Sequence, residues 1–249
     1  MHNQPLTGVR NKPQRQNNTH VNSMKTPKLL VIGLALALPL VAKATIIGSK
    51  HDFSTNSWNS RHGVCSPCHS IHDTDPNQLI PLWSHATTTK TFNVYDSPTF
   101  QGHASITQPG GASKACLSCH DGSLAVNQSA SGSITGGATN AQFVGASRLI
   151  AEDGDLHSTH PVSFSYSDSE ADPFIFPAST PLQWTPGAGL TGKKISDILI
   201  AGKLECATCH DIHRQKGDAP TDTFMRIISS SAVDANGRGS LLCRTCHNK

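Results

Sequence analysis

Eight cysteines and fourteen histidines are the residues most able to do chemistry in this chain of 249 residues. Every cysteine falls into one repeated pattern: Cys65-Ser66-Pro67-Cys68-His69, Cys116-Leu117-Ser118-Cys119-His120, Cys206-Ala207-Thr208-Cys209-His210 and Cys243-Arg244-Thr245-Cys246-His247. The C-x-x-C-H pattern is the signature of c-type haem attachment. Two thiols one short turn apart can form thioethers with the two vinyl groups on one porphyrin edge, and the adjacent imidazole then lies under the ring as the proximal iron ligand. From composition alone, His would follow all four pairs with a probability on the order of 10⁻⁵. The pattern therefore assigns Cys65, Cys68, Cys116, Cys119, Cys206, Cys209, Cys243 and Cys246 to covalent attachment of four c-type haems, with His69, His120, His210 and His247 as proximal ligands.

Three other chemistries use paired cysteines, and each fits less well. Two C-x-x-C pairs can close a zinc site with four thiolates, but such a site gives no reason for four trailing histidines. Exported cysteines form disulfides, yet an identical two-residue gap repeated four times is an odd framework for them. A thioredoxin-like redox pair needs a βαβ context that the sequence does not offer.

Four haems require up to four distal ligands, and the segment after the signal region supplies eight further histidines: His51, His62, His72, His85, His103, His157, His160 and His213. Met225 is the one methionine there, so Met ligation is limited to one haem, and bis-histidine ligation with comparatively low potentials is the default. His72 and His213 each follow a proximal histidine by three residues, in Cys-His-Ser-Ile-His and Cys-His-Asp-Ile-His. A residue that close cannot easily round the edge of its own porphyrin, but it can ligate a neighbouring haem. His160 precedes Pro161, which favours an extended backbone suited to a ligand presented from a loop; His157 is its rival. His51 is the fourth candidate.

The elements that must position these residues are hard to find, because the chain is short of core material. Leu, Ile, Val and Phe make up about a fifth of it, near the level below which a chain struggles to bury a core. Aromatic residues are 5% and charged residues 15%, with 20 Gly and 15 Pro. A disordered chain of that kind would normally carry a large net charge, whereas this one carries +3. The composition implies a compact, loop-rich chain whose middle is filled by something other than side chains. Residues 121–147 read as a surface loop and 168–192 as a second connection, and Ile195 to Leu204 has enough apolar period for one short helix. The close spacing within 65–72 and 206–213 suggests two haem-bearing halves in one continuous domain.

The N-terminal segment reads as a targeting signal. Lys25 and Lys28 precede a short apolar run from Leu29 to Val41, followed by Ala42-Lys43-Ala44, the layout of a secretory signal with an A-x-A cleavage site. Residues 1–44 form this region, with Met24 as an alternative start downstream of residues 1–23, and 45–249 the cytochrome domain. The run is too short for a comfortable membrane span, so none is expected after cleavage. Six of the 20 basic residues and none of the 17 acidic ones lie before residue 45, so the remainder carries −3. No basic patch points to nucleic acid.

The chain resembles the exported multihaem c-type cytochromes with doubled CXXCH motifs, and in particular the tetrahaem OmcE-type cytochromes that polymerise into extracellular filaments, or nanowires. The matching segments are 48–54, 64–72, 81–83, 95–100, 116–123, 160–164, 206–213 and 241–249, spread over nearly the whole of 45–249. The resemblance implies a multihaem cytochrome c fold: mostly loops with short helices carrying the CXXCH motifs, little strand and a haem-filled core. It also implies His51, His72, His160 and His213 as the distal ligands, leaving His62, His85, His103 and His157 as extra histidines that keep ligand exchange open. The expected function is extracytoplasmic electron transfer through four closely spaced haems, with no catalytic residue. The expected partners are copies of the chain in a head-to-tail filament, together with other redox cytochromes or external electron acceptors. His51, near the start of the mature chain, is the expected ligand to a neighbouring subunit. The alternatives are a multihaem reductase of a nitrogen or sulfur oxyanion with one open iron, and a soluble periplasmic electron shuttle.

Overall fold

The computed structural model describes residues 46–72, 80–182, 192–213, 224–227 and 240–248, all within one compact unit, Ala42–Lys249. The signal region lies outside the described residues. Gly and Pro break the chain often, and the result is mostly loop with a few short helices and little strand. The α-helices among the described residues are α1 (Gly111–His120), α2 (Tyr166–Ser169), α3 (Cys206–Cys209) and α4 (Leu241–Cys246). Two short strands, β1 (Phe164–Ser165) and β2 (Lys203–Leu204), pair antiparallel with Phe164 opposite Leu204.

Three of the four C-x-x-C-H motifs sit on helices. The second forms the C-terminal half of α1, the third spans α3, and the fourth lies in α4, where the Ser240 hydroxyl caps the helix by accepting the Leu242 N–H. The first motif departs from the expectation of a helix: Cys65–His69 is a single turn in which the Cys68 and His69 N–H groups both donate to the Cys65 carbonyl (3.1 and 2.9 Å). Pro67 explains the difference, because it disfavours the helical region for Ser66.

The helix expected over Ile195 to Leu204 is also corrected. Only Ile195–Asp197 forms a 3-10 turn. The chain then reverses at Ala201 and Gly202, both at positive φ (50° and 76°), and Lys203–Leu204 joins β1. The apolar residues of this segment are nonetheless buried: Ile195, Ile198 and Leu204 pack with Phe164, Tyr166, Leu182 and Ile227 in the larger apolar cluster. A second cluster holds Phe92, Leu117 and Leu156. The 121–147 stretch is irregular as read, but its start is not surface, since Asp121, Ala125 and Asn127 are buried. In the second connection, α2 occupies residues 166–169, and 183–191 lie outside the described residues.

Candidate metal centres

Each motif is fastened to the chain by backbone hydrogen bonds from a distant segment. Residues 80–84 hold the first: the Ser84 N–H donates to the Cys68 carbonyl (2.9 Å) and the Ser70 N–H to the Leu82 carbonyl (3.0 Å). The second is held at its exit, where the Ile150 N–H donates to the His120 carbonyl and buried Asp121 accepts the Thr88 hydroxyl (2.6 Å). At the third, the Arg226 N–H donates to the Cys209 carbonyl, and its guanidinium pairs with Asp211 at 2.9 Å. At the fourth, the Phe176 N–H donates to the Cys246 carbonyl and the Asn248 N–H to the Phe174 carbonyl.

The histidines come together in twos. His69 faces His213 with ring centroids 6.1 Å apart, His120 faces His51 at 6.2 Å, and His247 faces His160 at 6.3 Å. Each pair joins a motif histidine to one of the four distal candidates. An imidazole nitrogen bonds a first-row metal at about 2.0 Å and lies about 1.2 Å from its ring centre, so two imidazoles on opposite sides of one ion have centroids about 6.4 Å apart. The three separations match that span. The other ring nitrogens are placed accordingly: Nδ1 of His69, His120 and His160 lies 2.9–3.0 Å from the carbonyls of Pro81, Arg148 and Pro161. Donation from Nδ1 to a carbonyl leaves Nε2 as the ligand atom and fixes the ring. His213 Nδ1 is 3.8 Å from Asp211 Oδ1.

His51 is oriented by packing instead, against Phe224 and Phe53, and its buried Nδ1 has no hydrogen-bond partner. Burial, with the neighbouring His120 adding to it, lowers its pKa to about 4, so the ring is neutral at pH 7 and keeps a lone pair for a metal. Within the chain the His51 ring is turned inward against His120.

Comparison with protein-family models and with curated proteins finds no match for this chain. What the site can do is thus a matter of its own side chains. The distal candidate His72 is exposed and makes no ring contact with a histidine among the described residues. His210, the remaining motif histidine, is bridged backbone to backbone with Met225. Paired strand residues are only about 5 Å apart, too close to reach opposite faces of one porphyrin, which argues against Met225 as the sixth ligand there.

The extra histidines are engaged elsewhere. His85 is buried with both ring nitrogens at carbonyls, Ala86 at 2.6 Å and Ala125 at 2.9 Å. His62 Nδ1 lies 2.7 Å from the Ser54 carbonyl, His103 is bound between the Ser97 carbonyl and Asp96, and His157 stacks on Tyr95. The rivalry between His157 and His160 thus falls to His160. Segments 65–72 and 206–213, expected to mark separate halves, are brought together by the His69–His213 contact.

Five of the cysteines, Cys68, Cys116, Cys119, Cys209 and Cys246, are poor thiolates. Burial pushes the Cys68 thiol up to about 11, Cys119 to about 12 and Cys209 to about 11. Cys206 is the exception, lowered to about 7 by a hydrogen bond from the Cys116 thiol. Among the described residues no group of three or more His, Cys, Asp or Glu converges as a metal site, which is what a tetrahedral zinc requires. Two imidazoles per pair, one of them directly after a C-x-x-C pair, would suit a metal whose remaining positions are filled by a macrocycle. The residues present fit a c-type haem.

Two residues that matter here escaped the sequence reading. Asp121 and Glu205 are ordinary acidic residues beside the motifs, and only the fold reveals that both are buried. The sole hint was their position, one residue after His120 and one before Cys206.

Proposed function

We propose that this chain is an exported electron-transfer protein that holds four covalent c-type haems with bis-histidine ligation and works as a subunit of an extracellular cytochrome filament. The observation that carries the reading is the set of three contacts at 6.1–6.3 Å, each between a C-x-x-C-H histidine and a histidine distant in sequence. A bound haem supplies a one-electron iron couple, at low potential when both axial ligands are imidazoles.

The chain's own part is attachment, orientation and enclosure. Eight cysteines provide the thioether sulfurs. His69 with His213, His120 with His51 and His247 with His160 supply three axial pairs. His210 and His72 are assigned to the fourth, by elimination and by the matching Cys-His-x-Ile-His sequences in which His72 and His213 occur. Under this assignment the first and third motifs exchange ligands, so neither can shift without disturbing the other. No residue is given a catalytic role. The filament form rests on the resemblance of the motif order, and in it export places the chain at or beyond the cell surface.

The test is expression in a host with c-type maturation machinery, followed by intact mass and reduced pyridine haemochrome absorbance. The expected result is four haems per chain with wholly low-spin spectra and no binding of carbon monoxide. Fewer than four haems, or a high-spin fraction, would overturn the assignment. Electron micrographs of the same material test the filament: regular fibres are expected, and monodisperse monomers at high concentration would remove that part.

A further inference from the structure

Glu205 is 3% exposed, and its carboxylate sits where the second and third motifs meet. Helices α1 and α3 pack together here, and Cys206, the residue after Glu205, opens α3 with its N–H on the Ser113 hydroxyl of α1. Glu205 Oε2 accepts the Ser113 hydroxyl and the Ser163 hydroxyl, the latter at 2.8 Å. Each hydroxyl also takes a backbone N–H, Ser113 from Cys206 (2.9 Å) and Ser163 from Gly110 (3.2 Å). A serine has one proton to donate. With amide protons already on their lone pairs, both hydroxyls turn that proton to Oε2, which acts as an acceptor only. Among the described residues no Lys, Arg or His is ion-paired with it, and Glu205 stands at the N-cap of α3. An unpaired buried anion is costly, and a glutamine of the same shape would fill the same space.

We propose that Glu205 is a built-in negative charge at the junction of the second and third attachment motifs, which holds the potentials of the haems attached there low by favouring their oxidised, more positive state. This rests on the haem reading above. Ser113 and Ser163 are positioning residues that hold the carboxylate in place.

The experiment is a potentiometric titration of the haem-loaded protein and of Glu205→Gln. The variant is expected to raise two of the four midpoint potentials, each by about tenfold in the redox equilibrium constant, or about 59 mV for a one-electron couple. The other two potentials stay in place, and Glu205→Asp, which keeps the charge, stays near the wild type. Unchanged potentials in a fully haem-loaded Glu205→Gln would overturn the assignment while leaving the haem reading intact. Absence of haem from the wild type would overturn that reading instead.

If Glu205→Gln fails to mature, the wild type answers by redox-difference infrared spectroscopy with carbon-13 glutamate. The chain has only three glutamates, and Glu152 and Glu170 are exposed. A labelled carboxylate band that shifts on reduction is expected. A labelled protonated-acid band, or no labelled band, would sink the proposal.

Discussion

A neutral histidine offers one nitrogen to a metal, and the hydrogen bond on its other nitrogen decides which. At His69, His120 and His160 a carbonyl faces Nδ1, which would leave Nε2 as the nitrogen for the proposed haem iron. At His103 both nitrogens are spent, one on the Ser97 carbonyl and one toward Asp96. The two kinds of histidine should respond differently to removal. His51→Ala is expected to retain four haems by intact mass and to convert one of the four to a high-spin, carbon monoxide-binding form. His103→Ala should leave the spectrum unchanged. Retention of a wholly low-spin spectrum in His51→Ala would show that the His51–His120 contact is packing only. The eight cysteines and four motif histidines stand in one repeated spacing that is read directly from the sequence, because the thioether attachment proposed for them would be a local chemistry with fixed spacing. The histidine pairs are made by contacts across 69 to 144 residues, so the spacing of His72 and His213 could nominate ligands but not pair them. The orientation of His51 was missed for a related reason: its sequence position says nothing of Phe224, which packs on it from the far end of the chain.

Helix α1 is the longest element that carries a motif, and its C-terminus is finished in an unusual way. Asp121 at the C-cap places an anion where the helix dipole disfavours one. The structure shows what outweighs that penalty. The carboxylate accepts the Thr88 hydroxyl (2.6 Å), the Ser123 N–H (2.8 Å) and the Ser123 hydroxyl (2.6 Å), while Lys90 Nζ donates to the Asp121 carbonyl (2.9 Å). Asp121 thus pins the end of α1, and with it His120, to residues 88–90. Asp121→Ala strands the buried Thr88 hydroxyl and is expected to cost roughly 1–3 kcal/mol, the usual penalty for unsatisfied buried groups. Denaturant unfolding of the haem-loaded variant measures it, and a midpoint equal to wild type would refute the anchoring role. At this scale the sequence was a fair guide to what is irregular and a poor one to what is buried. Ile195, Ile198 and Leu204 show why: their spacing resembles a helical period, yet the positive φ at Ala201 and Gly202 turns the chain so that the same residues reach the core from a 3-10 turn and a strand.

Across the molecule, apolar burial is thin for a chain of this length. Among the described residues 16 hydrophobic side chains are buried, four of them alanines, against 13 polar or charged ones. A large buried aliphatic or aromatic side chain contributes about 1.5–3 kcal/mol, while each ordered residue costs about 1–2 kcal/mol of backbone entropy. Loops that make up most of the fold add little regular hydrogen bonding to offset that cost. Four covalently held porphyrins would supply the missing apolar area at the points where the motifs converge, and their attachment would also shorten the effective loops of the unfolded chain. Folding should then depend on haem. A variant with all eight cysteines replaced by serine, exported and purified in the same way, is expected to give a coil-like far-ultraviolet circular dichroism spectrum, rapid proteolysis and no cooperative thermal transition. The haem-loaded protein should melt cooperatively and resist the same protease. If the serine variant instead unfolds cooperatively with native-like protection, the polypeptide closes its own core, and the low content of Leu, Ile, Val and Phe must be reconciled with a fold that needs no bound plate.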